Sequence, residues 1–96
     1  MRNTWIVSYD IADPKRLKRV FKCCKGNGIH LQYSVFQCDL DGLEKAEFEA
    51  MLSEVINHDE DQILFIDLGP ADSRGERIIH SLGLPYIEMD EACYAI

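Results

Sequence analysis

Hydrophobic and polar positions divide the chain into short elements of two periods. Residues 4–10, Thr-Trp-Ile-Val-Ser-Tyr-Asp, are β-branched and aromatic over a short run, which predicts a strand. Asp10-Ile11-Ala12-Asp13-Pro14 then turns the chain. Asp13 suits a helix N-cap and Pro14 the first helical position. Leu17, Val20, Phe21 and Cys24 fall at i, i+3, i+4 and i+7, so the helix carries one apolar stripe and runs to about Lys25. Gly26-Asn27-Gly28 is expected to end it, because Gly and Asn accept left-handed dihedrals.

Residues 29–40 partly alternate apolar and polar, and they read as one long bent strand or two short ones. A second helix is expected over about 42–56, with Phe48, Met51, Leu52 and Val55 inward and Glu44, Glu47, Glu49 and Glu54 outward. After a polar loop at 57–61, residues 62–68 form a strongly apolar run, read as a central strand. Residues 73–82 could form a short helix with Ile78, Ile79 and Leu82 on its apolar side, and 85–90 a last strand.

Two helices of similar length between extended segments predict an α+β fold. It is a ferredoxin-like sandwich in which two helices cover one face of a mainly antiparallel sheet. The other face would then expose a large apolar patch, which a two-fold homodimer packed sheet on sheet would bury. Ninety-six residues make one domain, 1–96. The C-terminal segment, about 70–96, is expected to complete the dimer, with 85–90 adding to the partner's sheet edge.

Composition changes this picture in three places. The chain is 47% hydrophobic with a mean hydropathy of −0.17, as in a folded domain. No run approaches the roughly 18 apolar residues of a membrane span, and the N-terminus lacks a signal-peptide pattern, so no membrane role and a cytoplasmic location are expected. Cys23, Cys24, Cys38 and Cys93 have no zinc spacing and read as small apolar side chains. The net charge is −7, but seven of the ten Lys and Arg lie in residues 1–30 against only Asp10 and Asp13. That segment carries +5 and the remainder −12. A basic face on an acidic body can still follow phosphates, since binding needs a local positive surface.

Four segments together resemble the Cas-two family, the small protein of the CRISPR adaptation pair. They are Ser8-Tyr9-Asp10-Ile11, the following Asp13-Pro14-Lys15-Arg16-Leu17-Lys18-Arg19-Val20, then Gln32-Tyr33-Ser34-Val35-Phe36-Gln37-Cys38-Asp39-Leu40, and Asp61-Gln62-Ile63-Leu64-Phe65-Ile66-Asp67-Leu68-Gly69. They span the chain in the family's order, and Gln-Tyr-Ser-Val-Phe is the most specific of them. The resemblance implies a ferredoxin-like homodimer in which Asp10 of both subunits meets across the two-fold axis, where Mg²⁺ or another divalent metal can sit. It implies an endonuclease on single-stranded RNA or duplex DNA that acts with the CRISPR integrase in spacer acquisition. The alternative is a non-catalytic dimeric scaffold bridging the integrase and DNA. His30 departs from the basic residue that some relatives carry near the start of the second extended segment.

On this reading Asp10 is the catalytic and metal-binding residue. Mg²⁺ binds through a few carboxylates, and two Asp10 side chains brought together would repel unless a metal or a proton lies between them. Tyr9 is the second catalytic candidate, to orient water or touch a phosphate. Arg16, Arg19, Lys15 and Lys18 are the nucleic-acid-binding candidates, the arginines through bidentate contacts. Phe36 is a stacking candidate, although core packing explains it as well. Asp67, unusual in an apolar strand, is expected to pair with a basic residue at the dimer interface. A small regulatory or ligand-binding domain is the third class, and no Gly-rich phosphate loop supports it.

Overall fold

The computed structural model describes residues 1–73 and 81–85. Strand β1 (Asn3–Asp10) is followed by helix α1 (Pro14–Lys25), strands β2 (Ile29–Gln32) and β3 (Val35–Leu40), helix α2 (Gly42–Val55) and strand β4 (Gln62–Pro70). A single 3-10 turn, Ala71–Ser73, follows. The strands form one antiparallel sheet in the order β2-β3-β1-β4. This is the expected ferredoxin-like α+β arrangement. The open question at 29–40 resolves into two strands, separated by a turn at Tyr33 and Ser34.

Both helices start where the capping chemistry places them. Asp13 Oδ2 accepts from the amides of Lys15 and Arg16, each at 3.0 Å. Asp41 and Glu44 make a reciprocal capping box: Asp41 Oδ1 accepts from the Glu44 amide at 2.7 Å, and the Asp41 amide donates to Glu44 Oε1 at 2.9 Å. The end of α1 differs from expectation. Gly26 has φ −72°, so no left-handed residue stops the helix. Asn27 closes it instead, its side chain donating to the Cys23 carbonyl at 2.8 Å and its amide to Cys24 at 3.0 Å. Gly28 is needed for a close approach. A Cβ there would lie 2.4 Å from Cys38 Sγ and 2.5 Å from the Gln37 carbonyl oxygen.

Strand register assigns the two faces of the sheet. Val7 pairs with Phe36 and Phe65, and Trp5 with Cys38, so these residues share the helix-covered face with Tyr9. Phe21 of α1 meets Phe36 edge-on at 5.7 Å, and Phe48 of α2 meets Phe65 at 5.7 Å, which puts both helices on that one face. Val7, Tyr9, Val20, Phe21, Cys24, Phe36, Cys38, Leu40, Phe48 and Leu52 make the core. The opposite face carries Ile6, Ser8 and Asp10 of β1, Val35 and Gln37 of β3, and Leu64 and Ile66 of β4.

Three expectations change. The apolar run at 62–68 forms an edge strand of the described sheet, not a central one. It is apolar on both sides because Ile63 and Phe65 pack under the helices while Leu64 and Ile66, each 47% exposed, lie on the open face. Met51 is exposed and not part of the inward stripe of α2. Leu82 lies in a bend and is exposed, so it does not end a helix. Residues 74–80 and 86–96 are outside the described residues, and with them most of the proposed helix at 73–82, the strand at 85–90 and Cys93. No helix among the described residues is long and apolar enough to cross a membrane.

Phe36 has no solvent exposure and touches rings from β1, α1 and β2. Phe36→Ala is expected to cost about 3–5 kcal/mol, the usual effect of emptying an aromatic site in a core. Urea unfolding followed by circular dichroism measures it; a loss below about 1 kcal/mol would contradict this packing.

Candidate functional site

Topology gathers the chemistry at one end of the sheet. β1 ends at Asp10 and α1 begins just after it. The strands are antiparallel, so the β2–β3 turn and the α2–β4 loop, residues 57–61, arrive at the same end. Asp10 is exposed and pairs in register with Gln62 on the open face. No side chain among the described residues forms a hydrogen bond with its carboxylate. No group of three or more His, Cys, Asp or Glu among the described residues could hold a metal ion. A lone carboxylate is a thin ligand set for a divalent ion, so a metal site built on Asp10 needs further donors.

Tyr9, next to Asp10 in sequence, faces the other way. It is buried, it stacks with Phe36 at 6.3 Å, and its hydroxyl donates to the Tyr33 carbonyl at 3.2 Å. Burial pushes its phenol far above the ordinary value. The alternation of a strand therefore separates the two catalytic candidates, and Tyr9 works as a core residue that ties down the neighbouring turn. Phe36 likewise offers no face to a base, and the stacking role expected of it falls to packing. His30 is buried against Phe21 and Phe36, with ring centroids at 5.3 and 4.7 Å, so its ring is not open to a phosphate.

The basic helix splits into two kinds of residue. Lys15, Lys18 and Arg19 are exposed along α1, with Lys22 beyond them. Arg16 turns inward, its Nε donating to Asp61 Oδ2 at 2.8 Å and its Nη2 to Asp61 Oδ1 at 3.2 Å and Glu60 Oε1 at 2.9 Å. Its bidentate capacity is thus used within the chain. Asp61 is the residue that sequence reasoning missed. Its side chain is fully buried and also accepts from the amides of Ala12 at 2.9 Å and Asn57 at 2.8 Å. One carboxylate joins the loop after Asp10, helix α1 and the loop before β4. Nothing in the composition of 57–61 marks it; only its place before an apolar strand does.

Asp67 is exposed, and its register partner Trp5 puts it off the open face. Within the chain it accepts from Asn3 Nδ2 at 3.2 and 3.3 Å and from the Gly69 amide at 2.8 Å. Cys23, Cys24 and Cys38 are free thiols. Burial pushes the Cys38 thiol up to about 12 and raises Cys24 as well, in keeping with apolar side chains.

The architecture defines a ferredoxin-like domain with an exposed carboxylate at the end of its first strand and exposed cations on the helix that follows. The family model described as CRISPR associated protein Cas2 matches residues 3–74. The chain belongs to this family. It is 48% identical over 73 residues to the CRISPR-associated endoribonuclease Cas2 of Geobacter sulfurreducens, covering 76% of this chain and 77% of that one. It is 39% identical over 94 residues to the CRISPR-associated endoribonuclease Cas2 1 of Rhodospirillum rubrum, covering 98% and 91%. The crystal structure of Streptococcus pyogenes Cas2 superposes with a TM-score of 0.70 at 32% identity, covering 83% and 99%.

Arg16 beside Asp61 holds that carboxyl well below the usual carboxylate range, and the Arg2 guanidinium holds Glu44 down to about 2. A carboxylate with a depressed folded-state pKa stabilises the fold above its ordinary titration range and stops doing so as pH falls through the folded value. Thermal stability is therefore expected to fall as pH drops from about 4.5 to 2. Asp61→Asn should lower the melting temperature at pH 7 by several degrees and flatten that acid limb. Melting curves across pH 2–7 measure both, and an unchanged acid limb in the variant would contradict the assignment.

Proposed function

We propose that the protein is a metal-dependent endoribonuclease that cuts single-stranded RNA as a homodimer, with Asp10 from each copy at the shared site. The observation that carries this reading is the position of Asp10. It is exposed on the same open sheet face as Leu64 and Ile66, so a pairing that buries the apolar residues brings the carboxylates toward one another. The relatives named as endoribonucleases support the reaction class. Mg²⁺ or another divalent ion supplies activation of water and neutralisation of phosphate charge when bound. The two Asp10 carboxylates would hold it. Lys15, Lys18 and Arg19 supply a positive track along α1 that draws in the phosphate backbone. On this reading the protein works in the cytoplasm with nucleic acid.

The separation of charge favours a second reading. Exposed cations on α1 and exposed Glu47, Glu49 and Glu54 on α2 give one molecule two surfaces of opposite sign. A dimer of this kind suits a scaffold in spacer acquisition, with the cationic helices on duplex DNA and another surface on the CRISPR integrase.

Asp10→Ala is expected to reduce Mg²⁺-dependent cleavage of single-stranded RNA to the metal-free background while leaving folding intact. Cleavage that survives the substitution would overturn the nuclease reading. Spacer insertion in cells that continues with Asp10→Ala would favour the scaffold. In sedimentation, Leu64→Lys with Ile66→Lys is expected to convert dimer to monomer and to abolish cleavage. A dimer that persists in that variant would move the interface elsewhere.

A further inference from the structure

Among the described residues, Trp5, Tyr9, Phe21, Phe36, Phe48 and Phe65 are buried or half-buried. Tyr33 stands apart, with 78% of its surface exposed at the β2–β3 turn. The turn is not a loose loop tip. The Tyr9 amide donates to the Ser34 carbonyl at 3.0 Å. The Tyr33 carbonyl accepts from the Tyr9 hydroxyl at 3.2 Å, and His30 Nε2 lies 3.2 Å from the same oxygen. The backbone that carries the exposed ring is thus held by two buried aromatic side chains, which themselves pack on Phe36.

The same bonds tie the turn to the Asp10 end of β1. Ser8 pairs with Val35, and the Tyr9–Ser34 bond extends that ladder by one step. Tyr33 is the turn residue before Ser34, and Asp10 is the β1 residue after Tyr9. An exposed aromatic ring and an exposed carboxylate therefore belong to the same end of the sheet.

We infer that Tyr33 is the platform on which an unpaired base of single-stranded nucleic acid stacks at the Asp10 end of the sheet. The inference rests on the endoribonuclease reading and names what selects its substrate. Stacking on an aromatic face requires a base whose own face is free, which a single strand offers and the interior of a duplex does not. A tyrosine has only two side-chain torsions to order, and its backbone is already fixed, so little conformational freedom is lost on binding. The phosphates on either side of the stacked base would be met by the cations of α1, which begins at the same end of the sheet.

The test uses the full chain carrying Asp10→Ala, so that RNA is bound and not consumed. It compares Tyr33 with Tyr33→Phe, Tyr33→Leu and Tyr33→Ala. Affinity is read by fluorescence anisotropy on a labelled single-stranded oligoribonucleotide and on the duplex of the same sequence. Tyr33→Phe is expected to match Tyr33. Leu and Ala are expected to weaken single-strand binding on the order of tenfold and to leave duplex binding unchanged. Melting temperature and sedimentation should be unaltered in all three. Equal single-strand affinity in Tyr33→Ala would overturn the inference, as would full retention by Tyr33→Leu or a loss that follows dimer dissociation. Failure of the Tyr33 chain itself to bind RNA would instead overturn the endoribonuclease reading, and this inference with it.

Discussion

The ring of Phe36 is where the two layers of this protein meet. It stacks with Tyr9 from β1 and His30 from β2, and Phe21 from α1 closes on its edge. Both Tyr9 and His30 turn their polar atoms toward one carbonyl, that of Tyr33. Packing in the core therefore determines the shape of the surface at the end of the sheet. Burial of the aromatic cluster supplies the driving force, and the hydrogen bonds at its margin direct a turn.

A second constraint acts on the polar side of the same end. Asp61 satisfies two backbone amides and the Arg16 guanidinium from within a fully buried position. A buried carboxylate is tolerated only when its oxygens are met this way. The consequence is that residues 11–13, which follow Asp10, and residues 57–61, which precede β4, are held to one frame. Asp10 itself takes no part in the clip, so its carboxylate stays exposed while its backbone is anchored in the ladder with β4.

The chain separates its charges by element more than by domain. α1 shows lysine and arginine to solvent, and α2 shows glutamate. On α2, Lys45 pairs with Glu49 and sits 4.6 Å over the Trp5 ring and 5.2 Å over Phe65. Its charge is thereby kept close to the helix. An exposed pair of this kind adds only about 0.3–0.5 kcal/mol, so the surface charges matter chiefly for what they attract. A net charge of −7 and a positive face on α1 are compatible because fields at a surface are local.

Much of this was legible in the residues. Asp13 with Pro14 marks the first helix start, since capping depends on atoms within a few residues. The spacing of Leu17, Val20, Phe21 and Cys24 marks one core face, and the strand–helix alternation marks the fold class. Asp10 as the candidate carboxylate was legible from its place at the end of a strand and from the resemblance. Other features depend on residues distant in sequence and were decided only in three dimensions. The alternation of β1 puts Tyr9 under the helices and leaves Asp10 outside. Phe36 lies in the core while Tyr33, three residues earlier, is exposed. Asp61 meets Arg16 across forty-five positions. The edge position of 62–68 in the described sheet also follows from pairing order, because an apolar run reads the same whether a second strand or a second sheet face covers it. Local hydrogen bonds and periodicity are written in neighbouring residues. Which face a side chain takes, and which distant group meets it, is settled by packing the whole sheet at once.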